Sequence, residues 1–238
     1  MQSEWISRTE LLINADNLTK LRSSRVLVAG LGGVGAYAAE MLCRAGIGHL
    51  TVIDSDIVQP SNRNRQLTAL CSNEGRLKTE VMRERLLDIN PDLKLEIISE
   101  FIRDERLMEI VSHPYDYIVD AIDTLSPKLF LIYYALKNNQ RIVSSMGAGG
   151  KLDPLQINVA DISKTYNCRL AYFLRKRLRK LGVTTGVKAV FSTEQTDRGA
   201  VITCDEQNKK SIVGTISYMP AMFGCVCASL AIRDILNS

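Results

Sequence analysis

Gly30, Gly32, Gly33 and Gly35 lie in the stretch VLVAGLGGVGAYAAE, residues 26–40, between an apolar run and a run of small residues. Gly30, Gly32 and Gly35 form G-x-G-x-x-G, with Gly33 as an extra glycine. Glycines permit a tight turn and close backbone approach, and the amides opening the next helix face an anion, so a phosphate-binding turn is predicted here. Asp54 follows Gly35 by 19 residues. A carboxylate at that distance, ending a second strand, accepts hydrogen bonds from ribose hydroxyls. These residues suit a nicotinamide dinucleotide and ATP equally well.

The stretch DSDIVQPSNRNRQ, residues 54–66, separates the two ligands. A dehydrogenase needs little after its ribose carboxylate. Here Asn62, Arg63, Asn64, Arg65 and Gln66 crowd a loop at the carboxyl end of the expected sheet, where ligands of doubly wound folds bind. Arg65 presents a fork that matches phosphate oxygens. Lys78 adds a second positive charge, and Asp123 offers a hard oxygen ligand for Mg²⁺. Singly, the two arginines read equally well as a solvated loop. With Asp54, Lys78 and Asp123 they read as a site for ATP and magnesium.

The elements that must position these residues alternate along the chain. A helical lead-in over 10–22 precedes a strand at 25–29, a helix at 37–45 and a strand at 49–54, which is a βαβ unit. A helix over 76–89 ends at Asn90-Pro91. Strands at 95–98, 117–121 and 141–145 then alternate with helices at 106–112 and 127–137. The pattern predicts an α/β fold, a Rossmann-like doubly wound and mainly parallel sheet. After GAGG, 147–150, the rhythm changes: a strand at 157–160, a basic helix at 167–181, interrupted β segments over 182–215 and an apolar helix at 217–236. No linker composition separates the parts. The expectation is one domain over 1–238, with an ATP-binding core over 1–150 and a C-terminal elaboration over 151–238.

Net charge is +4, unevenly spread: residues 1–150 carry −2 and residues 151–238 carry +6. The surplus concentrates in RLAYFLRKRLRKL, 169–181, where Leu170, Leu174, Leu178 and Leu181 predict an apolar stripe. Arg175, Lys176, Arg177, Arg179 and Lys180 occupy the remaining faces, with Lys209 and Lys210 as a further extension. No acidic residue stands between Asp161 and Glu194. An electropositive face of this kind suits a polyanionic partner. The six cysteines form no C-x-x-C pair and read as reduced, buried and structural. No apolar run is expected to cross a bilayer, and the N-terminus reads as no signal peptide, so a cytoplasmic location is expected.

GLGGVG, D-x-D-x-V-x-x-S-N-x-N-R-Q, G-x-x-K at 75–78, INP at 89–91 and DAID at 120–123 resemble the ThiF/MoeB/ubiquitin-activating superfamily of adenylating enzymes. GAGGKLDP, VADISKT and FSTE, at 147–154, 159–165 and 191–194, are similar to its tRNA threonylcarbamoyladenosine dehydratase branch. The resemblance implies that Gly30 to Gly35 cradle the ATP phosphates and Asp54 binds the ribose. It implies further that Asn62, Arg65 and Lys78 contact the phosphates and that Asp123 holds magnesium. Arg8 matches an arginine that reaches into the partner subunit's site, which implies a homodimer. The implied reaction is ATP-dependent cyclisation of threonylcarbamoyladenosine in tRNA through an adenylated threonyl carboxylate. Sulfur-transferring relatives use a cysteine in the region of Cys168 and Cys204, yet no residue pattern here identifies a sulfur-transfer protein partner. The alternatives are adenylation of a ubiquitin-like sulfur-carrier protein, an NAD-dependent oxidoreductase and a non-catalytic tRNA-binding module. For GAGG, both a plain turn and a seat for the modified base remain open.

Overall fold

A computed structural model describes residues 4–206 and 209–238, with side chains described for all of these except Arg198, 203–206 and 209–211. Nine strands and eight α-helices are found among them. In chain order they are α1 (Ser7–Ile13), α2 (Ala15–Ser23), β1 (Arg25–Ala29), α3 (Gly35–Arg44), β2 (His49–Ile53), α4 (Lys78–Ile89), β3 (Lys94–Ile98) and α5 (Asp104–Ser112). There follow β4 (Tyr117–Asp120), α6 (Leu125–Lys137), β5 (Ile142–Ser145), β6 (Ile157–Asp161), α7 (Arg169–Lys180), β7 (Lys188–Ser192), β8 (Val201–Glu206), β9 (Lys209–Val213) and α8 (Tyr218–Leu236).

Seven strands form one sheet in the order β3-β2-β1-β4-β5-β7-β6. Every neighbouring pair is parallel except β6 with β7. The Rossmann-like, mainly parallel α/β fold is therefore as expected, and β6 and β7 extend the same sheet. Side chains alternate across a strand, so β1 sends Val26 and Val28 to one face and Leu27 and Ala29 to the other. The first face buries α3, α4 and α8; the second buries α5, α6 and α7. Strands covered on both faces must be apolar throughout, as RVLVA and YIVD nearly are.

Three expectations need correction. The lead-in helix is two helices, because Asn14 adopts φ 69° between them and accepts a hydrogen bond from the Asn17 amide. Secondly, α8 has the length and apolar composition to cross a bilayer. It packs against α3 and the sheet, burying Met219, Phe223, Cys227, Ala231 and Ile235. Its C-terminal turn is tied to the sheet by Asp234, which accepts from the Tyr117 hydroxyl at 2.7 Å. Thirdly, the buried stripe of α7 is Ala171, Leu174 and Leu178; Leu170 is half-buried and Leu181 is exposed. Leu181 lies past the helix end, where the periodicity no longer holds.

Candidate functional site: two turns at the switch point of the sheet

Strands β1 and β4 are neighbours whose chains continue toward opposite edges of the sheet, so a crevice opens at their carboxyl ends. The glycine turn leaves β1 there, and the turn 121–124 leaves β4. Gly30 has φ +90°, and a Cβ on it would lie 2.8 Å from the Ala121 carbonyl oxygen. Gly35 opens α3 so closely that a methyl group would overlap the Gly30 carbonyl and stand 3.1 Å from Ala121 Cβ. These two glycines let the two turns touch. On the far side of the turn, a Cβ on Gly33 would meet Pro220 Cβ at 2.8 Å and the Arg65 carbonyl at 3.2 Å. The start of α8 and the arginine loop therefore flank the same turn.

Asp54, just after β2, accepts from the Leu31 amide at 2.6 Å and the Asp56 amide at 2.8 Å. Burial pushes its carboxyl up, while the charge of Lys78 and the two amides pull it back. It thus ties the glycine turn to the second strand. Lys78 is the first residue of α4 and is 3% exposed. An antiparallel bridge between Ile57 and Leu77 brings it to the end of β2, where Nζ pairs with exposed Asp56 at 2.7 Å. A buried ammonium held by a single exposed carboxylate is well placed to exchange that partner for phosphate oxygens.

Arg65 is half-buried, its Nη1 donating to the Ser61 carbonyl at 2.9 Å and to Asn64 Oδ1 at 2.8 Å. Asn62 is buried; its Oδ1 accepts from the Gln59 amide at 3.2 Å and its carbonyl accepts from the amides of Arg65 and Gln66. Asn62 thus shapes the loop that carries Arg65. Gln66 brings Nε2 to 3.9 Å from a Cβ placed on Gly32, and its Oε1 is buried with no hydrogen-bond partner. An orphaned acceptor beside the glycine turn fits a ligand that donates a hydrogen bond.

Asp123 lies exposed in the turn 121–124. Among the described residues no group of three His, Cys, Asp or Glu side chains forms a protein cage for a metal. Magnesium is commonly held by one or two carboxylates together with nucleotide phosphates, and Asp123 at this crevice fits that habit. Residue spacing alone does not reveal what lies beneath this turn. Asp120 and Lys128, both fully buried, pair at 2.8 Å, and Ser144 donates to the same carboxylate at 2.6 Å. The available signal was a lysine within the apolar run of α6.

Arg8 is exposed on α1 and is not gathered at its own chain's crevice. Ile6, just before it, packs at Gly46, near where β2 begins, at the opposite end of the sheet. The five basic residues of α7 expected to meet RNA divide. Arg175, Lys176 and Arg179, with Ser163 and Tyr172, line a hollow of about 350 Å³. Arg177 and Lys180 are exposed but do not line it. Lys209 and Lys210, like Cys204, have side chains outside the described residues. The helix starts at the crevice end, since Cys168 Sγ lies 3.7 Å from a Cβ on Gly147. At about 1.5 Å per residue, its last basic residues stand roughly 16 Å away.

The glycines of GAGG pack against the chain's own side chains. A Cβ on Gly149 would meet Thr215 Oγ1 and Val213 Cγ1 at 3.0 Å, and one on Gly150 would strike Thr196. The reading of every cysteine as buried also fails. Cys43 and Cys227 are buried, Cys168 and Cys225 are intermediate, and Cys71 is exposed, with Arg63 Nη1 donating to its sulfur at 2.7 Å.

A glycine turn at the switch point of a doubly wound sheet is the architecture of nucleotide-binding α/β proteins. The ThiF family model matches residues 6–238, and the chain belongs to the ThiF family. It is 36% identical to the tRNA threonylcarbamoyladenosine dehydratase of Bacillus subtilis, covering 97% of this chain and 94% of that protein. It superposes on the E. coli tRNA N6-threonylcarbamoyladenosine dehydratase, TcdA, in complex with ATP with a TM-score of 0.91 at 36% identity, covering 98% of this chain and 94% of that one. The AMP complex of the same E. coli enzyme matches with a TM-score of 0.89 at 37% identity, covering 99% and 97%.

Proposed function

We propose that this chain is an ATP-dependent tRNA threonylcarbamoyladenosine dehydratase that cyclises the nucleoside by adenylating its threonyl carboxylate. The observation that carries the reading is near full-length likeness to dehydratases solved with ATP and with AMP, the nucleotide before and after adenylate chemistry. The gathered crevice residues supply the physical basis.

A carboxylate is a poor electrophile because its oxygen leaves badly. One carboxylate oxygen attacks the α-phosphorus of ATP, forming a C–O–P bond as the bond to the β-phosphate breaks and pyrophosphate departs. Negative charge then spreads over phosphate oxygens. Arg65 and Lys78 offset it from the arginine loop and the start of α4, with Arg8 of the partner subunit completing the site in a homodimer. The amides from Gly32 to Gly35 cradle the phosphates, those of Gly30 and Leu31 being engaged by the Ile53 carbonyl and Asp54, and Asp54 orients the ribose. Asp123 would hold magnesium, which supplies further charge neutralisation when bound. The substrate's carbamoyl group next attacks the activated carbonyl, and AMP leaves with the carboxylate oxygen. The net change is loss of one water from the nucleoside. No enzyme nucleophile is required. The reading places the protein in the cytoplasm, with its substrate.

The hollow on α7 is assigned to the RNA backbone flanking the reacting nucleotide, because Arg175, Lys176 and Arg179 line it with charges that suit phosphates. Lys176→Glu with Arg179→Glu is expected to weaken tRNA binding about 10- to 100-fold at low salt. The slope of log affinity against log salt should fall by roughly one per lost phosphate contact. An unchanged slope in a filter-binding titration would remove the hollow from the RNA interface.

The decisive assay incubates the protein with ATP, Mg²⁺ and tRNA bearing threonylcarbamoyladenosine, followed by nucleoside mass spectrometry. ATP-dependent loss of one water is the expected result. ATP cleavage that requires a small carrier protein and leaves the nucleoside intact would instead establish the carrier-adenylating reading.

A further inference from the structure

The glycine turn is roofed by the turn 121–124, and that turn is clamped from below by one buried cation. Lys128 Nζ pairs with Asp120 Oδ2 at 2.8 Å and donates to the Ile122 carbonyl at 3.0 Å. Asp120 Oδ1 accepts from the Ile122 amide at 3.1 Å, and Ser144 on β5 donates to Oδ2 at 2.6 Å. Both peptide groups of Ile122 are therefore held, one directly and one through the carboxylate. The next residue is Asp123. The preceding residue, Ala121, supplies the carbonyl 2.8 Å from a Cβ on Gly30 and the Cβ 3.1 Å from one on Gly35.

A fully buried ion pair is a poor device for stability alone, because two apolar side chains of similar volume usually serve as well. What the pair supplies here is direction: a short turn between β4 and α6 has its amide and carbonyl aimed by fixed charges. We infer that Lys128, acting with Asp120 and Ser144, is a positioning residue that sets the turn 121–124 and through it the nucleotide crevice and Asp123. Lys128 touches neither nucleotide nor metal in this scheme. The inference rests on the reading of the crevice as the ATP site.

The test pairs Asp120→Asn with Lys128→Met, which removes both charges while keeping shape, and reads two quantities in the full chain. The first is hydrogen exchange of the 121–124 amides without ligand, expected to quicken about tenfold while exchange of the β1 and β2 amides holds. The second is ATP affinity by calorimetric titration with and without Mg²⁺. It is expected to weaken about tenfold, the scale on which partners of ligand-holding groups act, with the larger loss when Mg²⁺ is present. Unchanged exchange overturns the clamp whatever the nucleotide result. Quicker exchange with unchanged ATP affinity reduces the pair to a structural role and overturns the inference. Should the paired variant fail to fold, Ser144→Ala, which removes one hydrogen bond and leaves the ion pair, is read by the same two measurements. A two- to threefold change in both supports the inference, and no change in either overturns it. Failure of the wild-type chain to bind ATP would count against the function proposed above, and the exchange measurement tells the two failures apart.

Discussion

Arg65→Ala is expected to lower ATP-dependent dehydration by about 10²- to 10³-fold, the usual loss when one donor to developing charge is removed from a preorganised site. Nothing comparable should happen to the fold. The guanidinium is half-buried, and its described hydrogen bonds go to the Ser61 carbonyl and Asn64 Oδ1 within its own loop. The melting temperature should therefore move by no more than a few degrees. Pyrophosphate release and circular dichroism together check both halves. Near-normal release in the folded variant would mean that the arginine loop does not face the phosphates. Lys78→Met probes a different balance, since Lys78 is buried and paired with Asp56. Its loss mixes charge removal with repacking, so Arg65 is the cleaner position.

Gly35→Ala is the second large effect, and it acts through packing. The added methyl overlaps the Gly30 carbonyl oxygen and stands 3.1 Å from Ala121 Cβ, and neither is the far end of a flexible side chain. Relief requires α3 to move away from the glycine turn. Overpacking of this kind costs about 1–3 kcal/mol or more. ATP affinity should fall at least about 100-fold, because the amides that face the phosphates leave register with the turn that roofs them. Gly32→Ala is the matched control. The nearest described atom to its Cβ is Gln66 Nε2 at 3.9 Å, an ordinary contact, so the variant should fold normally. Weak ATP binding in that folded variant would show that Gly32 is kept bare for the ligand. Thermal melting and calorimetric titration of the two variants separate these roles. Equal, near-wild-type behaviour of both would contradict the packing described for the turn.

Much of the fold was legible along the chain because its signals are local. RVLVA, HLTVI and YIVD are mainly apolar runs of strand length, and the intervening helices have helical periodicity. The strand at 25–29 matches the expectation at both ends, and the other shared elements differ by a few residues at their ends. Where the apolar pattern misleads, the deciding term is one that periodicity does not carry. Asn14 breaks the lead-in through a positive φ that no periodicity reports. The apolar pattern of α8 is the same for a core helix and a membrane helix, and only its docking on α3 distinguishes them. GAGG supports two readings along the chain, and in three dimensions Gly149 and Gly150 lie against Val213, Thr215 and Thr196.

By itself, the sequence determined the alternation of strands and helices, the glycine turn after β1 and the kind of ligand its arginines and acids suit. Those are properties of residue type and spacing over a few turns of chain, where steric and hydrophobic periodicity act directly. Only the tertiary structure decided that the turns after β1 and β4 touch. It also decided that the 56–58 and 75–78 segments pair to bury Lys78, and that the basic residues of α7 divide between a hollow and an open face. The Asp120–Lys128 pair belongs with these, eight positions apart in sequence and joined in a space sealed by α6 and β5. Long-range contacts of this kind exist only after the sheet closes, and their charges find partners there because burial without one would be prohibitive.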